Sequence, residues 1–305
     1  GGLAIMPFAL VIMSGDTNGP AFVGPLASAI AFLLVGAGMH TTQTAGLALA
    51  TDLASEDNRP RVVALLYVML LVGMLISAIV IGLALADFTS MKLIQLVQGA
   101  AVLTIILNIA ALWRQEARAP HLTRADADRP DFAEAWRAFM AGGRPGRLLV
   151  ATGLGAAAFA MQDVLLEPYG GEVLGLSVAG TTVLTALWAA GALIGFAFAA
   201  RALSTGGDPH RLAAYGMVIG VFAFAAVIFS DPLGSPLLFR FGALLIGLGG
   251  GLFSVGTLTA AMELGKTNGS GIALGAWGAV QATAAGIGVA VGGTLRDIVA
   301  TLSDA

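Results

Sequence analysis

LLVGAGMHTTQTAGLALATDL (33–53) lies without gaps over LLIGLGGGLFSVGTLTAAMEL (244–264) at an offset of 211. Gly36 meets Gly247, Gly38 meets Gly249, Leu47 meets Leu258, Asp52 meets Glu263 and Leu53 meets Leu264. The register continues through the following loop to put Gly82 on Gly293. An internal match of this length is the signature of a duplicated structural unit. The second copy comes six apolar segments after the first, so the unit is six helices, repeated in parallel.

Composition sets the solvent of that unit. The chain is 57% hydrophobic and only 11% charged, with a mean hydropathy of +0.89, against about 25% charged residues in soluble domains. Nine apolar segments follow one another at about 1–13, 21–53, 62–86, 91–113, 147–166, 177–201, 210–230, 236–264 and 271–295. Turn-forming joints such as SEDNRPR, STGGDPH and ELGKTNGSG separate them. Segments of this length and polarity read as membrane-crossing helices. The expected class is an all-α membrane protein. The second segment is long for one span, and Pro25 is a candidate for a kink or for an entry below the outer interface.

The basic residues orient the bundle. Arg59, Arg61, the seven arginines in or beside residues 114–147, Arg201, Arg211 and Lys266 fall on one side, and Lys92, Arg240 and Arg296 on the other. Twelve against three puts the first side in the cytoplasm. The linker 114–146 then separates an N-terminal half-bundle (1–113) from a C-terminal one (147–305). Four visible segments precede it and five follow, so two more spans are expected before Gly1 and one after Ala305. The whole resembles the twelve-helix, two-half arrangement of the major facilitator superfamily. Within the linker, Phe132, Trp136 and Phe139 recur at helical spacing, with Asp131 at the cap position and Glu134 three residues on. That pattern predicts a short interfacial helix tying the halves together, or a docking surface.

Several classes of function drop out. A net charge of −3 without a basic cluster excludes nucleic acid. The absence of cysteine removes disulfides, thiolate metal sites and cysteine nucleophiles. No phosphate loop or nucleophile constellation is present, and no enzyme is expected. A metal held by protein ligands alone is not supported.

The remaining candidates are polar groups at membrane depth, which are costly there and mark functional sites. In MQDVLLEPYGGEVLGLS (161–177), Gln162, Asp163 and Glu167 come towards the end of an apolar run that turns at Pro168–Gly171. Asp163 and Glu167, four apart, share a face if the helix continues. Arg240, five residues into its span on the same side, is a candidate partner or a snorkelling cation. His40 lies in the polar run HTTQT, about 18 Å along the helix from Asp52. Its neighbours Gln43 and Thr44 add hydrogen-bonding groups. A neutral imidazole there either bonds a neighbouring helix, relays protons, or supplies the axial nitrogen to the magnesium of a chlorin. Trp188 and Trp277 are packing aromatics or pigment contacts, and Gln281 is a cavity candidate. The glycine runs 191–195, 247–251 and 271–275 have GxxxG spacing, a packing device or a flat slot for a macrocycle.

HTTQTAGLALATDLA (40–54), EDNRPRVVALLYVMLLVG (56–73), MQDVLLEPYGGEVLGLSVAGTT (161–182) and GGGLFSVGTLTAAM (249–262) resemble the PucC/LhaA family of bacteriochlorophyll-delivery proteins. The resemblance runs along essentially the whole chain, and the 161–182 block is its most specific part. It implies an assembly factor of the photosynthetic inner membrane. Such a factor binds or delivers bacteriochlorophyll to light-harvesting α and β polypeptides, supports antenna (LH1/LH2) assembly around reaction centres, and works beside the reaction centre–LH1 complex or a bacteriochlorophyll synthase. Two other classes remain open: a proton-coupled transporter using His40, Asp163 and Gln281, and a pigment-free structural subunit of an antenna complex.

Overall fold

The structure, a computed structural model, describes residues 2–13, 20, 22–55, 58–84, 89–113, 131–176, 178–268 and 270–303. Helices account for nearly all of them: α1 Gly2–Met13, α2 Val23–Leu53, α3 Arg59–Ala84, α4 Ser90–Leu112, α5 Phe132–Met140, α6 Arg144–Met161, α7 Leu166–Pro168, α8 Val178–Ser204, α9 Pro209–Ser230, α10 Pro236–Asn268 and α11 Ser270–Ser303. In a bilayer every backbone N–H and C=O must bond within its own segment, and the helix does this without a partner. Among the described residues six helices are long and apolar enough to cross a membrane (within α2, α4 and α8 to α11), and seven if the bent pair beginning with α6 counts as one span. The protein is an all-α, multi-pass membrane protein.

Residues 1–43 with 72–131 form one compact unit, and residues 44–71 with 132–305 form a second. In the first, α1 lies along α4, and Gln98 on α4 donates a hydrogen bond of 2.6 Å to the Ala4 carbonyl. Thr89 caps α4 by accepting the Lys92 amide at 3.1 Å. The C-terminal half of α4 exposes Leu103, Ile105, Ile106, Leu107 and Ile109, while its polar residues Thr104 and Asn108 donate to carbonyls of their own helix at 2.8 and 2.7 Å. Apolar exposure with polar groups satisfied inside the helix suits a hydrocarbon surrounding.

The second unit is built around α10, flanked by α8 and α9, with α6 lying along α11. Close approach explains the glycines. A Cβ on Gly247 would land on the Trp188 carbonyl oxygen, and one on Gly191 on the Leu244 carbonyl oxygen. On the other flank, a Cβ on Gly216 would lie 2.5 Å from the Gly249 carbonyl oxygen. Backbone packed against backbone is the dense contact that holds helices together in lipid. At these positions of α8 and α10 the room left by glycine is filled by helices, leaving no slot for a macrocycle. Gly271 has nothing near it, and Gly275 faces only the Thr44 methyl at 3.9 Å.

Two apolar cores result. Leu148, Phe196, Val255, Leu258, Met262, Leu274 and Trp277 belong to one. Leu166, Leu184, Ala223, Phe239, Ala243 and Ile246 form the other. The linker helix α5 docks on the first core through Phe139, 2% exposed, and the half-buried Trp136. Phe132 remains 71% exposed and stacks on Trp136 at 6.2 Å. Most of the linker, residues 114–130, lies outside the described residues.

Two expectations are corrected. Pro25 does not kink α2, which runs unbroken from Val23 to Leu53. The proline lies in the first turn, where its missing N–H has no helical acceptor to lose. The α6 helix, expected to continue to about residue 166, stops at Met161. A 3₁₀ turn follows over Gln162–Val164, then α7, then a π turn over Tyr169–Val173, with a bend of 41°. Pro168 is the cause: inside a continuous helix its ring would collide with the Val164 carbonyl. Chain direction changes four residues before the proline, and Pro168 itself then takes helical angles. Asp163 and Glu167 therefore do not share one regular helix face.

Candidate functional site

The bend distributes the 161–177 carboxylates to separate partners. Gln162, buried, donates its side-chain amide to Asp163, and the Asp163 side chain is otherwise exposed. Glu167 accepts a hydrogen bond of 2.7 Å from the Thr185 hydroxyl on α8. Arg240, half-buried near the start of α10, makes no ion pair with either acid, and its Nε has no hydrogen-bond partner. Its neighbour Phe239 packs against Tyr169 of the π turn at 5.6 Å. These groups brace the bend against α8 and α10.

In the first unit, His40 and Gln43 are half-buried on α2. The adjacent threonines spend their hydroxyls on their own helix: Thr41 donates to the Ala37 carbonyl at 2.7 Å and Thr42 to the Gly38 carbonyl at 2.9 Å. His40 has no hydrogen bond to another described residue. Among the described residues no three His, Asp or Glu side chains converge on one point.

The second unit gathers the more distinctive constellation. Thr44, at the start of its α2 segment, lies against α11, with its Oγ1 3.3 Å from where a Cβ on Gly278 would sit. Trp277 and Gln281 are four apart on α11 and so face the same way. Tyr67 on α3 reaches into this region, its ring 5.0 Å from that of Phe196 on α8. Gln281 and Ser254 are the polar side chains beside the Tyr67 hydroxyl, yet neither meets it at hydrogen-bonding geometry. The indole N–H of Trp277, a residue 1% exposed, is also without a partner, and so are the buried hydroxyls of Ser28, Thr152 and Thr259.

Of the residues singled out from sequence, Thr44, Trp277 and Gln281 thus come together in one region. Trp188 belongs to the other core, half-buried beside Leu184 and Ile246. Tyr67 and Ser254 escaped sequence reasoning. The available signal was slight: Tyr67 is the one polar side chain in LLYVMLL (65–71).

An all-α chain with six or seven helices long and apolar enough to cross a membrane among its described residues defines a polytopic membrane protein. The chain belongs to the PucC family, since the family model described as PUCC protein matches residues 1–305. It is 55% identical over 303 residues to the "Uncharacterized protein in puhA-bchM intergenic region" of Rhodobacter capsulatus, covering 98% of this chain and 63% of that one. Protein PucC of Rhodovulum sulfidophilum is 53% identical over 306 residues, covering 98% and 67%. The "Bacteriochlorophyll synthase 44.5 kDa chain" of Rhodobacter capsulatus is 28% identical over 280 residues, covering 90% and 64%. The chain thus spans about two thirds of the length of the curated relatives it matches. No solved structure matches it.

Proposed function

We propose that this chain belongs to a non-enzymatic assembly factor of the bacterial photosynthetic membrane, which binds bacteriochlorophyll and presents it to light-harvesting α and β polypeptides. The carrying observation is the whole-chain membership in the PucC family. A relative named as a bacteriochlorophyll synthase chain supports the link to the pigment. The internal repeat supports a twelve-helix bundle in two halves as the scaffold. Bacteriochlorophyll is a large apolar molecule with one metal and a few carbonyls. Handing it on requires a site that shelters it from water while binding it modestly.

His40 is the proposed axial ligand to the pigment magnesium, with Gln43 beside it on α2 as a further contact. Reaction centre–LH1 complexes and a bacteriochlorophyll synthase are the proposed larger partners, in the inner membrane. The test is purification of wild type and His40→Leu from a pigment-making host, with quantitation of pigment and antenna polypeptides together. Wild type carries both, and His40→Leu carries less pigment with antenna retained. Antenna polypeptides without any pigment in wild type would make the protein a structural subunit. The absence of both would point to a transporter.

A further inference from the structure

We propose that the notch between the end of α2 and the start of α3 seats a phospholipid of the cytoplasmic leaflet, its phosphate on Arg61 and an acyl chain along Leu53 and Leu65. The notch lies within the second unit and uses none of the residues proposed for the pigment.

A cavity of about 540 Å³, open along one side, occupies this place, and small-ligand sites run to about 300–1,000 Å³. Ser55, Asn58 and Arg61 supply its polar wall, and Leu53, Val62 and Leu65 its apolar wall. Arg61 is the one charged side chain among them, and it makes no hydrogen bond or ion pair with another described residue. Asn58 donates to the Ser55 hydroxyl at 2.9 Å, so those two groups are engaged with each other and the guanidinium is left for a ligand. Its planar fork of donors matches a phosphate, and the start of α3 adds the partial positive charge of a helix N-terminus. Asp52, on the last turn of α2, is not part of the wall, and Glu56 and Asp57 lie outside the described residues.

Depth selects a lipid over a free anion. The apolar span of α2 ends at Ala50 and the apolar stretch of α3 begins at Arg61, so the notch straddles the level at which both helices leave hydrocarbon. The distribution of basic residues puts that level on the cytoplasmic side. Leu53 and Leu65 are 66% and 56% exposed beside the cation. A free phosphate would leave this apolar surface uncovered, whereas an amphiphile covers it and pairs the cation together. Basic pockets between membrane helices on this side bind lipid headgroups by the same chemistry.

The experiment is native mass spectrometry of the full chain, delipidated in detergent and titrated with phosphatidylglycerol, with diacylglycerol of the same acyl chains, or with inorganic phosphate. Wild type binds phosphatidylglycerol in a first, saturable step that diacylglycerol does not reproduce and inorganic phosphate does not displace. Arg61→Gln weakens that step by about tenfold to a hundredfold, the range for loss of a charge-assisted hydrogen bond. Arg61→Lys retains part of it, and Arg211→Gln, at the start of α9 on the same side of the membrane, leaves it unchanged. Equal binding to wild type and Arg61→Gln, or equal binding of phosphatidylglycerol and diacylglycerol, overturns the site. Displacement by inorganic phosphate makes it a free-anion site and overturns the lipid assignment. The comparison of the two lipids uses wild type alone, so it decides the matter even where a variant fails to fold. No arm involves pigment, so this proposal and the pigment reading fail or stand separately.

Discussion

The ring of Tyr67 on α3 lies 5.0 Å from that of Phe196 on α8, and the hydroxyl beyond it meets neither Gln281 nor Ser254 beside it at full hydrogen-bonding geometry. The apolar part of this side chain is therefore matched to its surroundings while its polar tip is not. Removing the tip tests whether it costs stability. Tyr67→Phe in the pigment-free protein raises the unfolding free energy by about 1 kcal/mol, or leaves it unchanged, because an unsatisfied buried donor costs about 1–3 kcal/mol. Thermal unfolding in detergent measures this. A clear fall would mean that the hydroxyl has a protein partner.

Glycines at close helix crossings and glycines facing open space respond oppositely. Gly247→Val drives side-chain atoms into the Trp188 carbonyl and abolishes folding. Gly36→Ala, at the aligned position of the first repeat copy with nothing within 4 Å, is neutral or stabilising by up to about 1 kcal/mol. Yield and monodispersity on size exclusion separate the two outcomes. Equal effects would mean that α8 and α10 do not cross as described.

The hydrogen bond from Thr185 to Glu167 links α7 to α8 across the bend. A double-mutant cycle with Glu167→Gln and Thr185→Val gives a coupling of about 1 kcal/mol, the usual value for a bond partly open to its surroundings. Zero coupling would place the carboxylate away from α8.

On α5, Phe139 and Phe132 differ in burial, at 2% and 71% exposed. Phe139→Ala costs about 3–5 kcal/mol, and Phe132→Ala costs less than about 0.5 kcal/mol. Chemical denaturation distinguishes them. Equal costs would show that α5 does not dock on the second unit through Phe139.

Hydrophobic length made the helices legible. The segment read at 210–230 is α9 at 209–230, and that read at 91–113 is α4 at 90–112, because in both a polar or turn-forming joint coincides with the loss of apolar character. The bend after Met161 was not legible to the residue. Pro168 announces a break, but where the strain is relieved depends on how Leu166 and Tyr169 pack against α8 and α10. The repeat shows a similar limit. Gly36 aligns with Gly247, yet one faces open space and the other a backbone carbonyl, since packing depends on neighbours that the aligned residues do not carry. Trp277, Gln281 and Thr44 stood out as polar or aromatic groups in apolar runs. Tyr67 acquires its meaning only from Phe196, Ser254 and Gln281, which are far away in the chain.

The central claim is that this chain holds a bacteriochlorophyll. Its most direct test is the absorption spectrum of the protein purified in mild detergent from a pigment-making host, read in the near infrared and normalised to protein. The account predicts a band that co-elutes with the protein at a fixed pigment-to-protein ratio. A near-infrared baseline across the protein peak, with pigment eluting only in free micelles, would contradict it.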